Sequence, residues 1–364
     1  MDDEAWGQVG WTEAFEDISS SITPRLETRL KMRYDQDYLY FGGILHDPAI
    51  FANISSTCHC NQGPGHECDQ VIFHDNDFEI FVDADGSTHN YKEFEVNALN
   101  ATWDLLLNKP YGDGGYENST RVFGPQGFDD LRPWGGVSSG MCRTHVHGGQ
   151  INNPKRPTKY WTVEVALPFD KLAFNTTKHH RPRPQKGEYW RADFSRVQWA
   201  VSVHGGKYWK EPSCQSCPVP GSPHEDNWVW SRIGVVAMHN PERWGYLQFA
   251  DDRVNSTSIK RDPQWAVRSI ASYIYYAQHA YKSDPSLGNG SFTEDVNALR
   301  KAKAEPPVEI PFALDGVCSR MPDIKVGNKG TSFEATIISN DGNFAATIRD
   351  DRYLTVSDSI HMVL

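Results

Sequence analysis

The sequence has no apolar run approaching the roughly 18 residues that mark a membrane-crossing helix, and it has no run of like positive charge. The densest basic stretch, Lys178-His179-His180-Arg181-Pro182-Arg183, is too brief to form a patch, and the formal net charge is -11. Nucleic acids and anionic lipid surfaces both need clustered Lys and Arg, so neither is an expected partner, and membrane insertion is not expected either. Residues 1–11 lack the charged-then-apolar pattern of a leader. Gly-x-Ser-x-Gly, His-Glu-x-x-His, P-loop and dinucleotide-binding signatures are missing, and no repeat or low-complexity segment stands out.

What is present is a chain of 364 residues, 38% hydrophobic and 12% aromatic, enough for a large core in one big domain or two smaller ones. Six Asn-x-Ser/Thr sequons, at Asn53, Asn100, Asn118, Asn175, Asn255 and Asn289, point to glycosylation along a secretory route. The seven cysteines agree with an oxidising compartment. Cys58, Cys60 and Cys68 crowd one Gly/Pro-rich loop, and with Cys142, Cys214 and Cys217 they form the expected disulfide set; Cys318 makes the number odd. The competing reading is a Cys/His metal site, but Cys214-Gln215-Ser216-Cys217 has no second Cys-x-x-Cys to complete four zinc ligands. The expectation is therefore a secreted, extracellular protein whose signal peptide has already been removed.

The most informative stretches are Asp77-Phe78-Glu79-Ile80-Phe81-Val82-Asp83 and Glu93-Phe94-Glu95-Val96-Asn97-Ala98, which alternate acid or amide with apolar in period 2. Both read as half-buried strands of one sheet, with Asp85-Gly86 as the turn of a hairpin that sets two polar rows side by side. Strands are also predicted over 30–34 and 38–44, flanking Asp35-Gln36-Asp37, over 161–167 up to Pro168, and over 189–195. The architecture is a mainly β, antiparallel β-sandwich over residues 1–254. Residues 255–364 read as a C-terminal extension, a helical hairpin plus a β-hairpin. Asp262-Pro263 opens its first helix, a second runs from about 291 to about 303, and Asp341-Gly342 turns between two strands.

Five motifs in order, 75–83, 91–98, 161–168, 190–197 and His239-Asn240-Pro241-Glu242-Arg243-Trp244-Gly245-Tyr246, resemble the carbohydrate-binding module family 9-like proteins over roughly residues 11–250. The resemblance implies a DOMON-like sandwich that holds a mono- or oligosaccharide with aromatic rings and polar side chains, carries structural calcium in some members, and accompanies a glycoside hydrolase in polysaccharide breakdown. Glu79 falls where the family's strand glutamate bonds sugar hydroxyls, with Glu95 and Asn97 on the adjacent row. Phe73 stands where a member would place a stacking tryptophan, a departure from the family's two-ring clamp, and Trp228 or Trp230 is the opposing ring. The candidate sugar-binding set is Phe73, Glu79, Glu95, Asn97, Trp103, Arg191 and Trp228. Such a set suits a sugar, since rings cover C-H surface and carboxylates or amides bond hydroxyl pairs.

Asp83-Ala84-Asp85-Gly86 resembles half of a calcium loop, so Asp83 and Asp85 are the candidate metal ligands, against the competing reading of a plain polar turn. Two other classes of function compete with binding. Glu79 and Glu95 have the chemistry of a glycosidase pair, and a DOMON-like sandwich can also hold haem for electron transfer.

Overall fold

Period-2 alternation becomes strand wherever neighbouring strands supply backbone partners, as happens repeatedly among the described residues through 248. The computed structural model describes residues 3–55, 71–118, 142–211, 224–250, 260–304, 318 and 320–358. Cys58, Cys60, Cys68, Cys214, Cys217 and Asn255 lie outside the described residues, as does the side chain of Asn118. In chain order the first strands are β1 (Glu16–Asp17), β2 (Thr28–Tyr34), β3 (Tyr38–His46), β4 (Asp77–Asp83), β5 (Tyr91–Asn97), β6 (Thr102–Leu107), β7 (Glu117–Asn118) and β8 (Cys142–Gly148). They are followed by β9 (Thr158–Pro168), β10 (Tyr189–Gln198), β11 (Val201–His204), β12 (Lys207–Lys210), β13 (Asp226–Val229) and β14 (Gly245–Gln248).

Two antiparallel sheets form the sandwich. The larger runs β1-β13-β10-β4-β5-β6-β7, with β14 also on β10, and the smaller runs β2-β3-β9-β8. Their facing surfaces meet through Phe78, Phe194 and Phe41, the last two rings 5.1 Å apart. Gly43 permits this close approach, because a Cβ there would lie 2.9 Å from Val163 and 3.8 Å from Phe78. Trp161 and Trp190 are core residues, as their parity with apolar neighbours predicts. The Asp35 carboxylate accepts the N–H groups of Asp37 and Tyr38 and so closes the β2-β3 turn.

β4 and β5 pair in the expected register, but the connection is longer than a two-residue turn. Residues 84–90 span it, with Gly86, Thr88 and Asn90 at φ of 65°, 64° and 54°. The greater departure concerns exposure. Every residue of β4 and β5 is buried, so the polar rows are not a solvated face.

The chain divides into two compact units, residues 1–85, 90–108 and 116–247, and residues 86–89, 109–115 and 248–364. In the second unit a helix, Trp265–Ser283, lays Val267, Ile270, Ile274 and Ala277 against Phe333, Ala335, Ile337 and Ile348. Those residues belong to a four-stranded meander, β15 (Asp323–Gly327), β16 (Ser332–Ile338), β17 (Phe344–Arg349) and β18 (Leu354–Asp358). The helix starts after Asp262-Pro263 rather than at it: the Asp262 side chain accepts from Gln264 N–H in a preceding turn. The expected second helix is a single turn, Val296–Leu299, capped by Asp295, and the expected β-hairpin is the centre of the meander.

Candidate functional site

The outer face of the large sheet, turned away from the small one, carries the acids. Register places Ser195 of β10, Glu79 of β4, Glu95 of β5 and Trp103 of β6 in one row across four strands. The row above it is Val197, Asp77 and Asn97, and the row below it is Asp193, Phe81, Glu93 and Leu105. Asp77, Glu79 and Glu95 are 0%, 4% and 1% exposed. One oxygen from each lies within 4.8 Å of those of the other two.

This group is short of partners. Neither Asp77 oxygen makes a well-formed hydrogen bond, nor do Glu79 Oε2, Glu93 Oε2 or the Ser195 hydroxyl, all of them buried; the groups nearest to them are the Val197 N–H for Asp77 and the Glu79 carboxyl for Ser195. Glu95 Oε2 accepts the Phe73 N–H at 3.1 Å. Burial pushes the Glu79 carboxyl up to about 8, with the Glu225 charge adding to it and the Ser195 hydroxyl beside it acting the other way. Burial and then the Glu79 charge raise Asp77, Glu93 and Glu95 as well. Carboxylates directly opposite one another on neighbouring strands repel, and here they do so out of water.

Rings and one cation border the acids. The turn Ile72–His74 holds Phe73 against Trp103, with ring centroids 6.3 Å apart and planes 29° from parallel. Phe73 is half-buried and His74 exposed. Trp199 fixes the turn by donating its indole N–H to Phe73 O at 3.0 Å. The Lys210 ammonium sits 3.4 Å from the centre of the Trp199 ring and donates to His74 O. Burial lowers its pKa, against the attraction of Asp75, Glu225 and Asp77.

The other sequence candidates serve the fold. Asn97 is saturated: its Nδ2 donates to Ile54 O and Asp75 Oδ2, and its Oδ1 accepts from Leu99 and Ala101 N–H, leaving no capacity for a ligand. Trp228 pairs with Arg196 in register and lies on the inner face, between Arg25 and Arg196 at 5.0 and 5.2 Å, so it cannot oppose Phe73. Arg191 binds the turn at 241–243 through Pro241 O and Glu242 O and stacks on Tyr246. Asp85 accepts twice from Thr177, and the donors that gather for a metal among the described residues are Asp77, Glu79 and Glu95 rather than Asp83 and Asp85. Asp77 was visible in the alternation of β4. Ser195 and Asp193 were missed, although the alternation of Arg191-Ala192-Asp193-Phe194-Ser195 puts both on the same face.

Fold and site together define an antiparallel β-sandwich with a buried acidic face on its larger sheet. No family model matches the chain, and no curated protein does. Among solved structures, similar chains include a putative carbohydrate-binding protein from Bacteroides uniformis, 15% identical over 67% of this chain and 88% of that one, with a TM-score of 0.38. A carbohydrate-binding module of family 9 from Caldicellulosiruptor kristjanssonii is 13% identical in its cellotriose complex and 14% in its glucose complex, over 72% of this chain and 93% of that one. The TM-scores are 0.35 and 0.34. At such scores the site has to be read from this chain's own residues.

Proposed function

We propose that the protein binds a carbohydrate on the acidic face of its large sheet, at the border formed by Phe73, His74 and Lys210, and does not cleave it. The observation that carries this reading is the placing of a half-exposed ring, stacked on Trp103, at the edge of the acidic group, with its own N–H on Glu95. A sugar offers a C-H face to the ring and hydroxyl donors to the acids. A Glu79 carboxyl raised to about 8 is largely protonated at neutral pH, so it both donates and accepts. Paired glutamates also suit a glycosidase, but acid and base roles need carboxyls pushed apart in pKa, and here Glu79 and Glu95 are both pushed up.

The same reading places the protein outside the cell, beside polysaccharide and a partner hydrolase. Asn53, Asn175 and Asn289 are exposed, as glycan acceptors must be, while Asn100 is half-buried.

Calorimetry with glucose and with cellotriose, followed by chromatography of the ligand, tests the proposal. Saturable binding that weakens about tenfold in Phe73→Ala, with the ligand intact, supports it. Released sugar makes the protein an enzyme, and absence of binding in every condition ends the reading. A Soret band after incubation with haem would favour the electron-transfer alternative.

A further inference from the structure

We infer that Asp77, Glu79 and Glu95, with the Ser195 hydroxyl, form a binding site for one calcium-sized divalent cation. Three strands supply the donors: β4 gives Asp77 and Glu79, β5 gives Glu95 and β10 gives Ser195. The carboxylate oxygens lie within 4.8 Å of one another, which matches ligands on opposite sides of an ion bound at about 2.3–2.6 Å. An all-oxygen set of this kind selects hard cations over zinc or copper.

Ser195 carries the argument beyond a cluster of acids. Its side chain is 0% exposed and, apart from the Glu79 carboxyl that it faces in register, its hydroxyl has no hydrogen-bond partner. A buried hydroxyl is destabilising unless something fills its lone pairs. Asp77 poses the same problem, with no exposure and no well-formed hydrogen bond to either oxygen. A cation beside these atoms satisfies them together and ends the repulsion between Glu79 and Glu95 across the strand pair.

The site differs from the Asp83-Asp85 turn, whose Asp85 is engaged with Thr177. It rests on the donor geometry and stands independently of carbohydrate binding, although an ion there would leave coordination positions that ligand hydroxyls can fill.

The test uses the full chain, stripped with a chelator and titrated with calcium chloride and separately with magnesium chloride in a calorimeter, while thermal unfolding is followed with and without each ion. The expected result is one calcium per chain, a raised unfolding temperature and weaker binding of magnesium. Asp77→Asn and Glu79→Gln should each weaken calcium at least tenfold, Ser195→Ala several-fold, and Asp85→Ala not at all. The Ser195→Ala and Glu79→Gln proteins keep side-chain volume or remove repulsion, so they report even if Asp77→Asn fails to fold. No saturable calcium binding, or binding lost in Asp85→Ala and kept in Glu79→Gln, overturns the site. Sugar binding that persists in chelator while calcium does not bind removes this inference and leaves the carbohydrate reading intact; calcium binding without sugar binding does the reverse.

Discussion

The two faces of the large sheet bury charge in opposite ways. On the inner face Arg196 is surrounded by acceptors: Gln198 Oε1 at 2.6 and 2.9 Å, Thr28 Oγ1 at 3.0 Å, His46 O at 3.0 Å and the Asp47 carboxylate at 3.5 Å. Lys92, on the same face, donates to Asn90 O and Phe174 O. On the outer face, a few ångströms through the same strands, Asp77, Glu79 and Ser195 present buried atoms without a well-formed hydrogen bond. Buried charge therefore carries no message by itself. Satisfied, it locks two sheets together; unsatisfied, it marks a place where something else belongs.

Breaking the inner face should give the largest effect. Arg196→Ala removes the cation beside Asp47, which keeps Gln198 Nε2 and the Ala49 N–H, and takes a donor from His46 O; removal of one partner from a buried pair costs about 3–5 kcal/mol. Denaturant unfolding should show that loss directly. On the outer face the expected sign reverses. Without divalent cations, Glu79→Gln removes one of two carboxylates opposed across β4 and β5 and should stabilise the fold by about 1 kcal/mol. A destabilised Glu79→Gln protein in chelator would show that the two faces are alike and that the acids are satisfied as they stand.

The division between the faces was legible in the sequence, because Phe78, Ile80 and Val82 alternate with Asp77, Glu79 and Asp83 whatever surrounds them. What covers the outer face was not. Phe73 reaches Glu95, and Trp199 reaches Phe73, across separations no local pattern encodes. Asn97 looked like a ligand group because its type and row were right. Its four bonds go to residues before β4 and to the turn after β5, which the fold alone brings together. Trp228 was misplaced for a related reason. Alternation says that it opposes Asn227 and Val229, but its face depends on pairing with Arg196 in β10. The C-terminal helix was clear from its spacing, whereas the second helix, expected from about 291 to about 303, is the single turn Val296–Leu299.

The smallest effect sharpens the comparison through pH. Glu188, just before β10, is a partnered carboxylate: burial alone would raise it, but the Gln185 N–H, the Lys178 ammonium and the Trp190 indole hold it down at about 2. A depressed acid adds stability above its unfolded value near 4.5, and that stability is lost as pH falls towards 2. Glu79, raised to about 8, behaves in mirror image: the folded state holds a proton that the unfolded chain releases, so its stability is complete below about 4.5 and lost as pH rises through 8. In chelator the unfolding temperature should therefore be highest near the point where the two limbs meet, and fall on either side. Glu188→Gln should flatten only the acid limb, by about 1 kcal/mol or less because its partners are partly exposed. Glu79→Gln should lessen only the alkaline limb, which Asp77, Glu93 and Glu95 share. Calcium should flatten that same limb in the wild type by holding the carboxylates ionised, so an alkaline decline that calcium leaves untouched would separate the strain of the outer face from any cation.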